Sequence, residues 1–130
     1  MNILVIEDNP SHLKLAHLVL GAAGHTVNDA EAAEQALAMI MLDKPHVILL
    51  DLELPGMGGL TLVRKLKADP TTRDIHVVAV TPYPDSYKKT EAMAAGCDAY
   101  LVKPINTRTL PHLVKQVVRK GVRPADSHIG

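Results

Sequence analysis

Apolar residues in this chain fall into short, nearly unbroken runs, separated by longer stretches where they recur every three or four positions. The runs Ile3-Leu4-Val5-Ile6, Val47-Ile48-Leu49-Leu50 and Ile75 to Val80 are too short for buried helices and rich in β-branched residues. That is how strands covered on both faces read. Two weaker strands are expected over His25 to Asp29, carried mainly by Val27, and over Asp98 to Val102.

The stretches between them have helical spacing. Asn9-Pro10 predicts a helix start, with Asn9 as N-cap and Pro10 at the first helical position, and Gly24 ends that helix. A second helix runs through Ala33, Ala36, Leu37 and Ile40 and is broken by Pro45. A third is marked by Leu60, Val63 and Leu66 and closed by Asp69-Pro70; Gly58-Gly59 leaves it without a capping side chain. A fourth is expected over Asp85 to Ala95, stopped by Gly96. The last carries Leu110, Leu113, Val114, Val117 and Val118 on one face. Pro111 is tolerated only in a first turn, so Thr109 is the expected cap in preference to Asn106.

Five strands alternating with five helices predict an α/β fold built on a doubly wound, five-stranded parallel sheet. Residues 1–120 form one domain on this reading, and 121–130 a flexible tail or linker without periodicity. Right-handed crossovers and the fold type suggest the strand order 2-1-3-4-5, which periodicity alone does not give.

Composition narrows the function classes. Fourteen basic and fourteen acidic residues balance, and there is no Phe or Trp. The core must be aliphatic, and neither a field for nucleic acid or anionic lipid nor a base-stacking platform is present. Cys97 is alone, which suits a reducing cytoplasm and reads as a small buried hydrophobe rather than a nucleophile. No apolar run reaches membrane-spanning length, and Met1-Asn2-Ile3 lacks the basic start of a signal peptide. A cytoplasmic location follows as the expectation.

In an open parallel sheet, ligands collect at the carboxyl ends of the strands. The residues just past the predicted strands there are Glu7-Asp8, Asp51, Thr81 and Lys103. Crowded carboxylates repel one another, and oxygen-rich ligation with few protein donors suits magnesium. Thr81 offers a hydroxyl and Lys103 a mobile charge, both suited to phosphoryl oxygens. A carboxylate nucleophile that accepts a phosphoryl group is the simplest chemistry for this set.

The chain resembles the receiver domains of two-component response regulators, which have a flavodoxin-like fold. The resemblance rests on Ile3-Leu4-Val5-Ile6-Glu7-Asp8-Asn9, Leu49-Leu50-Asp51-Leu52-Glu53-Leu54-Pro55-Gly56-Met57, Val80-Thr81 and Tyr100-Leu101-Val102-Lys103-Pro104, in that order. It implies that Asp51 receives a phosphoryl group from a histidine kinase or phosphotransfer protein. Asp8, Asp51 and the Glu53 backbone carbonyl would ligate Mg2+, with Glu7 acting through ordered water. Thr81 would contact the phosphoryl group, Tyr100 would change rotamer to follow, and Lys103 would pair with a phosphoryl oxygen beside a cis Lys103-Pro104 bond. The signal would leave through the face of the fourth helix, fifth strand and fifth helix to a downstream protein, with homodimerisation open.

One residue departs from the family pattern at the site. The residue after Thr81 usually donates its backbone N–H to the phosphoryl group, and here it is Pro82, which has none. The expected function is a phosphorylation-dependent switch, not an enzyme, acting alone or as a receiver within a longer protein. Two alternatives stand beside it. A phosphatase of the haloacid-dehalogenase type also uses an aspartyl nucleophile after a buried strand, but wants Asp where Glu53 stands. A phosphorylation-independent pseudo-receiver is suggested by Pro82.

Overall fold

The computed structural model describes residues 1–121, and the tail expected beyond them lies outside the described residues. The elements are β1 (Asn2–Ile6), α1 (Pro10–Ala22), β2 (Thr26–Ala30), α2 (Ala33–Leu42), β3 (Val47–Asp51), α3 (Gly59–Ala68), β4 (His76–Thr81), α4 (Lys89–Ala95), β5 (Ala99–Val102) and α5 (Thr109–Gly121). All strands run parallel in the order β2-β1-β3-β4-β5, as the fold type suggested.

The sheet separates two aliphatic cores, and strand alternation assigns residues to them. Ile3, Val5, Val47, Leu49, Val78, Val80 and Ala99 face α1 and α5. Leu4, Ile6, Ile48, Leu50, Val77 and Ala79 face α2, α3 and α4. All five residues of β3, the central strand, are buried, which accounts for its uninterrupted apolar run. Continued past the strand ends, the same alternation sends Glu7, Asp51 and Lys103 toward α1, and Thr81 toward α4. The functional side chains are sorted by parity before any of them touches another.

Local chemistry sets the ends. Asn9 caps α1, its Oδ1 accepting from the backbone N–H groups of Ser11 (2.9 Å) and His12 (3.2 Å). Gly24 and Gly96 follow their helices at φ 93° and 116°, where a side chain is disfavoured. The ends of β2, β4 and β5 differ from the sequence reading by one residue, and three differences have a clear local cause. The fourth helix starts at Lys89, not Asp85, because Pro82 and Pro84 leave only one turn closed on the Tyr83 carbonyl before the chain extends again at Lys88. The second strand starts at Thr26, since the His25 N–H is still bound to the Leu20 carbonyl at the end of α1. The cap of α5 is Asn106, not Thr109: its Oδ1 accepts from Arg108 (2.9 Å) and Thr109 (3.2 Å), while the Thr109 hydroxyl donates to the Asn106 carbonyl. An amide oxygen reaches both donors from outside the turn, which a hydroxyl already inside it cannot do.

Candidate functional site

The site is a cleft of about 500 Å³ above the carboxyl ends of β1, β3, β4 and β5, bordered by Glu7, Asp8, Asp51, Glu53, Pro82 and Lys103. Asp51 is the last residue of β3 and only 6% exposed. One carboxylate oxygen, Oδ1, accepts from the Glu53 backbone N–H at 2.9 Å, which folds the loop back over the strand end. The other, Oδ2, lies 3.4 Å from Lys103 Nζ. Lys103 is joined more closely to Glu7, with Nζ 2.6 Å from Oε1. Glu7 also accepts from the Asn9 N–H through Oε2 at 3.2 Å. The Lys103-Pro104 bond is cis, as the resemblance implied.

Burial sets the electrostatics. Desolvation is the largest influence on Asp51 and raises its carboxyl from 3.8 to about 6. The Glu53 N–H opposes this, Glu7 reinforces it, and Lys103 opposes it last. One lysine therefore leaves the buried anion short of positive charge. Oxygens of Glu7, Asp8 and Asp51 lie within 4.8 Å of one another, with Asp8 exposed to the cleft. Hard oxygen donors, an open side and a carboxylate that lacks charge compensation fit a magnesium-type cation.

Thr81 ends β4 and is fully buried. Its Oγ1 accepts from the Tyr83 N–H at 3.0 Å, so the hydroxyl proton is still available to donate. Pro82 borders the cleft between them without a donor of its own. Tyr100, half-buried on β5, packs toward the α4 side and its hydroxyl donates to the Tyr87 carbonyl. Burial first, and Asp85 second, push its phenol above the ordinary value.

Two features of the site were not read from the sequence. Glu7 is an ion-pair partner of Lys103, beyond the water-mediated role that the resemblance implied. His12, which no motif singles out, places Nδ1 2.8 Å from Lys103 Nζ. Its side chain is 44% exposed, yet it is within the site. The only sequence signal was the Asn9-Pro10 helix start, which fixes where the third helical residue sits relative to the rim.

Comparison with known proteins converges on one family. The response regulator receiver domain profile matches residues 3–115. The chain is 36% identical over 125 residues to the phosphate regulon transcriptional regulatory protein PhoB of Pseudomonas aeruginosa, covering 96% of this chain and 54% of that protein. It is 38% identical over 117 residues to the response regulator PleD of Caulobacter vibrioides, covering 90% of this chain but 26% of PleD. Protein PilH of P. aeruginosa is spanned almost end to end: 31% identity over 116 residues, 89% of this chain and 96% of PilH. Among solved structures, chemotaxis protein CheY4 of Vibrio cholerae superposes with a TM-score of 0.82 at 28% identity, covering 89% and 97% of the two chains. None of these is of the haloacid-dehalogenase type. With a parallel sheet in the order 2-1-3-4-5 and this sequence match, the chain belongs to the receiver domain family of two-component response regulators.

Proposed function

We propose that this receiver is a phosphorylation-dependent switch whose acceptor is Asp51. One observation carries the reading: a buried carboxylate at the end of the central strand, held up to about 6, faces an open cleft beside the Lys103 ammonium at 3.4 Å. The donor is a phosphohistidine on a histidine kinase or phosphotransfer protein. An Asp51 carboxylate oxygen forms the new P–O bond as the P–N bond breaks, and the imidazole keeps that electron pair. The Glu53 N–H fixes one Asp51 oxygen and so leaves the other to attack.

Asp8, Asp51 and the Glu53 carbonyl would hold Mg2+, which supplies positive charge to the phosphoryl oxygens. Lys103 supplies the second positive charge by leaving Glu7 for a phosphoryl oxygen. Thr81 donates its free hydroxyl proton, turning inward as it does so, and Tyr100 follows by giving up Tyr87. The change reaches the face of α4, β5 and α5, where Met93 (41% exposed) and Val102 (44% exposed) offer apolar contact to a downstream protein. The balanced composition argues against direct contact with nucleic acid. Among the described residues, no helix is long and apolar enough to cross a membrane.

Beryllofluoride, which mimics a phosphoryl group on a carboxylate, tests the reading. With magnesium, the wild type is expected to bind it and shift amide resonances at Asp51, Thr81 and Tyr100, and Asp51→Asn to show no shift. A wild type that does not bind it is the pseudo-receiver that Pro82 suggests.

A further inference from the structure

We propose that His12 is a positioning residue that, with Glu7, holds the Lys103 ammonium in reserve at a distance from Asp51 until a phosphoryl group arrives. The inference rests on the reading of Asp51 as phosphoacceptor.

The Lys103 side chain is only 8% exposed, and its ammonium has three protons to place. The surroundings offer three acceptors: Glu7 Oε1 at 2.6 Å, His12 Nδ1 at 2.8 Å and Asp51 Oδ2 at 3.4 Å. An ammonium has no lone pair, so the imidazole accepts through Nδ1 and carries its ring proton on Nε2. The two short contacts are to Glu7, just past β1, and to His12, in the first turn of α1; the long one is to the acceptor. His12 is fixed there by the Asn9 cap, which binds the His12 backbone N–H, and by Pro10 in the first turn. Its ring also lies 3.7 Å from Glu7 Oε1. To meet a phosphoryl oxygen on Asp51, the Lys103 Nζ must move toward the acceptor and draw away from both Glu7 and the imidazole. His12 therefore adds to the hold that Glu7 has on the lysine, and slows the uptake that Lys103 assists.

Two substitutions separate this from a mere packing role. His12→Leu keeps the bulk and removes the acceptor; His12→Asn places an amide oxygen where Nδ1 now stands. With acetyl phosphate and magnesium, the phosphorylation rate constant of His12→Leu is expected to rise roughly three- to tenfold, the size of one partly exposed hydrogen bond. His12→Asn is expected to restore the slower rate. A His12→Leu rate at or below wild type, or a His12→Asn rate equal to that of His12→Leu, overturns the proposal. Nitrogen NMR of the His12 ring supplies a second readout. The Nδ1 signal should be that of an acceptor in wild type and should shift in Lys103→Met; a protonated or unmoved Nδ1 also overturns it. If the wild type takes up no phosphoryl group, the functional reading fails and the proposed competition fails with it. The nitrogen signal still decides whether the contact exists.

Discussion

Burial holds the Asp51 carboxyl at about 6 against an ordinary 3.8, so the native protein binds a proton there that the unfolded chain has already released. In the window between those two values stability falls as pH rises, and above it the buried anion opposes folding in full. A shift of that size corresponds to about 2–3 kcal/mol. In chelator, Asp51→Asn should therefore be more stable than wild type near neutral pH by an amount of that order, and the gain should vanish as pH falls toward the unfolded value. Urea melts at the two pH values measure it, and a pH-independent difference would count against the electrostatic cause. Pro82 is the other residue with a measurable consequence. Tyr83 already gives its N–H to Thr81, so no neighbouring donor replaces the one proline lacks. Pro82→Ala should raise beryllofluoride affinity roughly tenfold, the lower range for a charge-assisted hydrogen bond. Equal affinities would mean that water fills the place. Asp51, Thr81 and Lys103 were legible in the sequence because each directly follows a run of apolar residues. His12 was not, because its role depends on the direction in which a capped helix turn presents a side chain.

The elements show why some boundaries could be read and others not. Strands buried on both faces announce themselves: the apolar runs Ile3 to Ile6 and Val47 to Leu50 lie wholly within β1 and β3, each of which is one residue longer. Turns are harder: Asp85 invites a helix start, but the prolines before it and the bond from Tyr100 to the Tyr87 carbonyl keep the chain from Pro82 to Lys88 from joining α4. The start of α3 carries a usable contrast. A Cβ on Gly59 would lie 2.8 Å from the Leu52 Cα and 3.0 Å from the Asp51 carbonyl oxygen, both backbone atoms of the acceptor loop. On Gly58, the uncapped N-cap position, it would meet nothing within 4 Å. Gly59→Ala should thus cost roughly 1–3 kcal/mol by forced backbone movement, and Gly58→Asp should add only a few tenths of a kcal/mol by capping, since glycine is itself a tolerable N-cap. Equilibrium denaturation of the two variants checks both signs. A neutral Gly59→Ala would show that the loop beside Asp51 yields easily.

The two cores and the strand order together explain why distant residues meet. Glu7, Asp51 and Lys103 come from three strands, and only the order β1-β3-β4-β5 with matching parity puts all three above the same face. Fold type supplied that order in the sequence reading; the pairing of Lys103 with Glu7 rather than Asp51 emerges only when the side chains are placed. Because the carboxylates repel in the folded state, a bound cation should stabilise the native protein by mass action. Magnesium should raise the melting temperature of wild type, and Asp8→Asn should remove most of that rise. Equal rises in both would move the metal away from Asp8.

Every proposed role at this rim depends on Asp51 as acceptor. Intact-mass spectrometry after incubation with acetyl phosphate and magnesium tests this most directly. Wild type is expected to gain one phosphoryl group, with fragmentation locating it in the peptide that contains Asp51, and Asp51→Asn to gain none. Unlabelled wild type, or an Asp51→Asn protein labelled as fully as wild type, would contradict it.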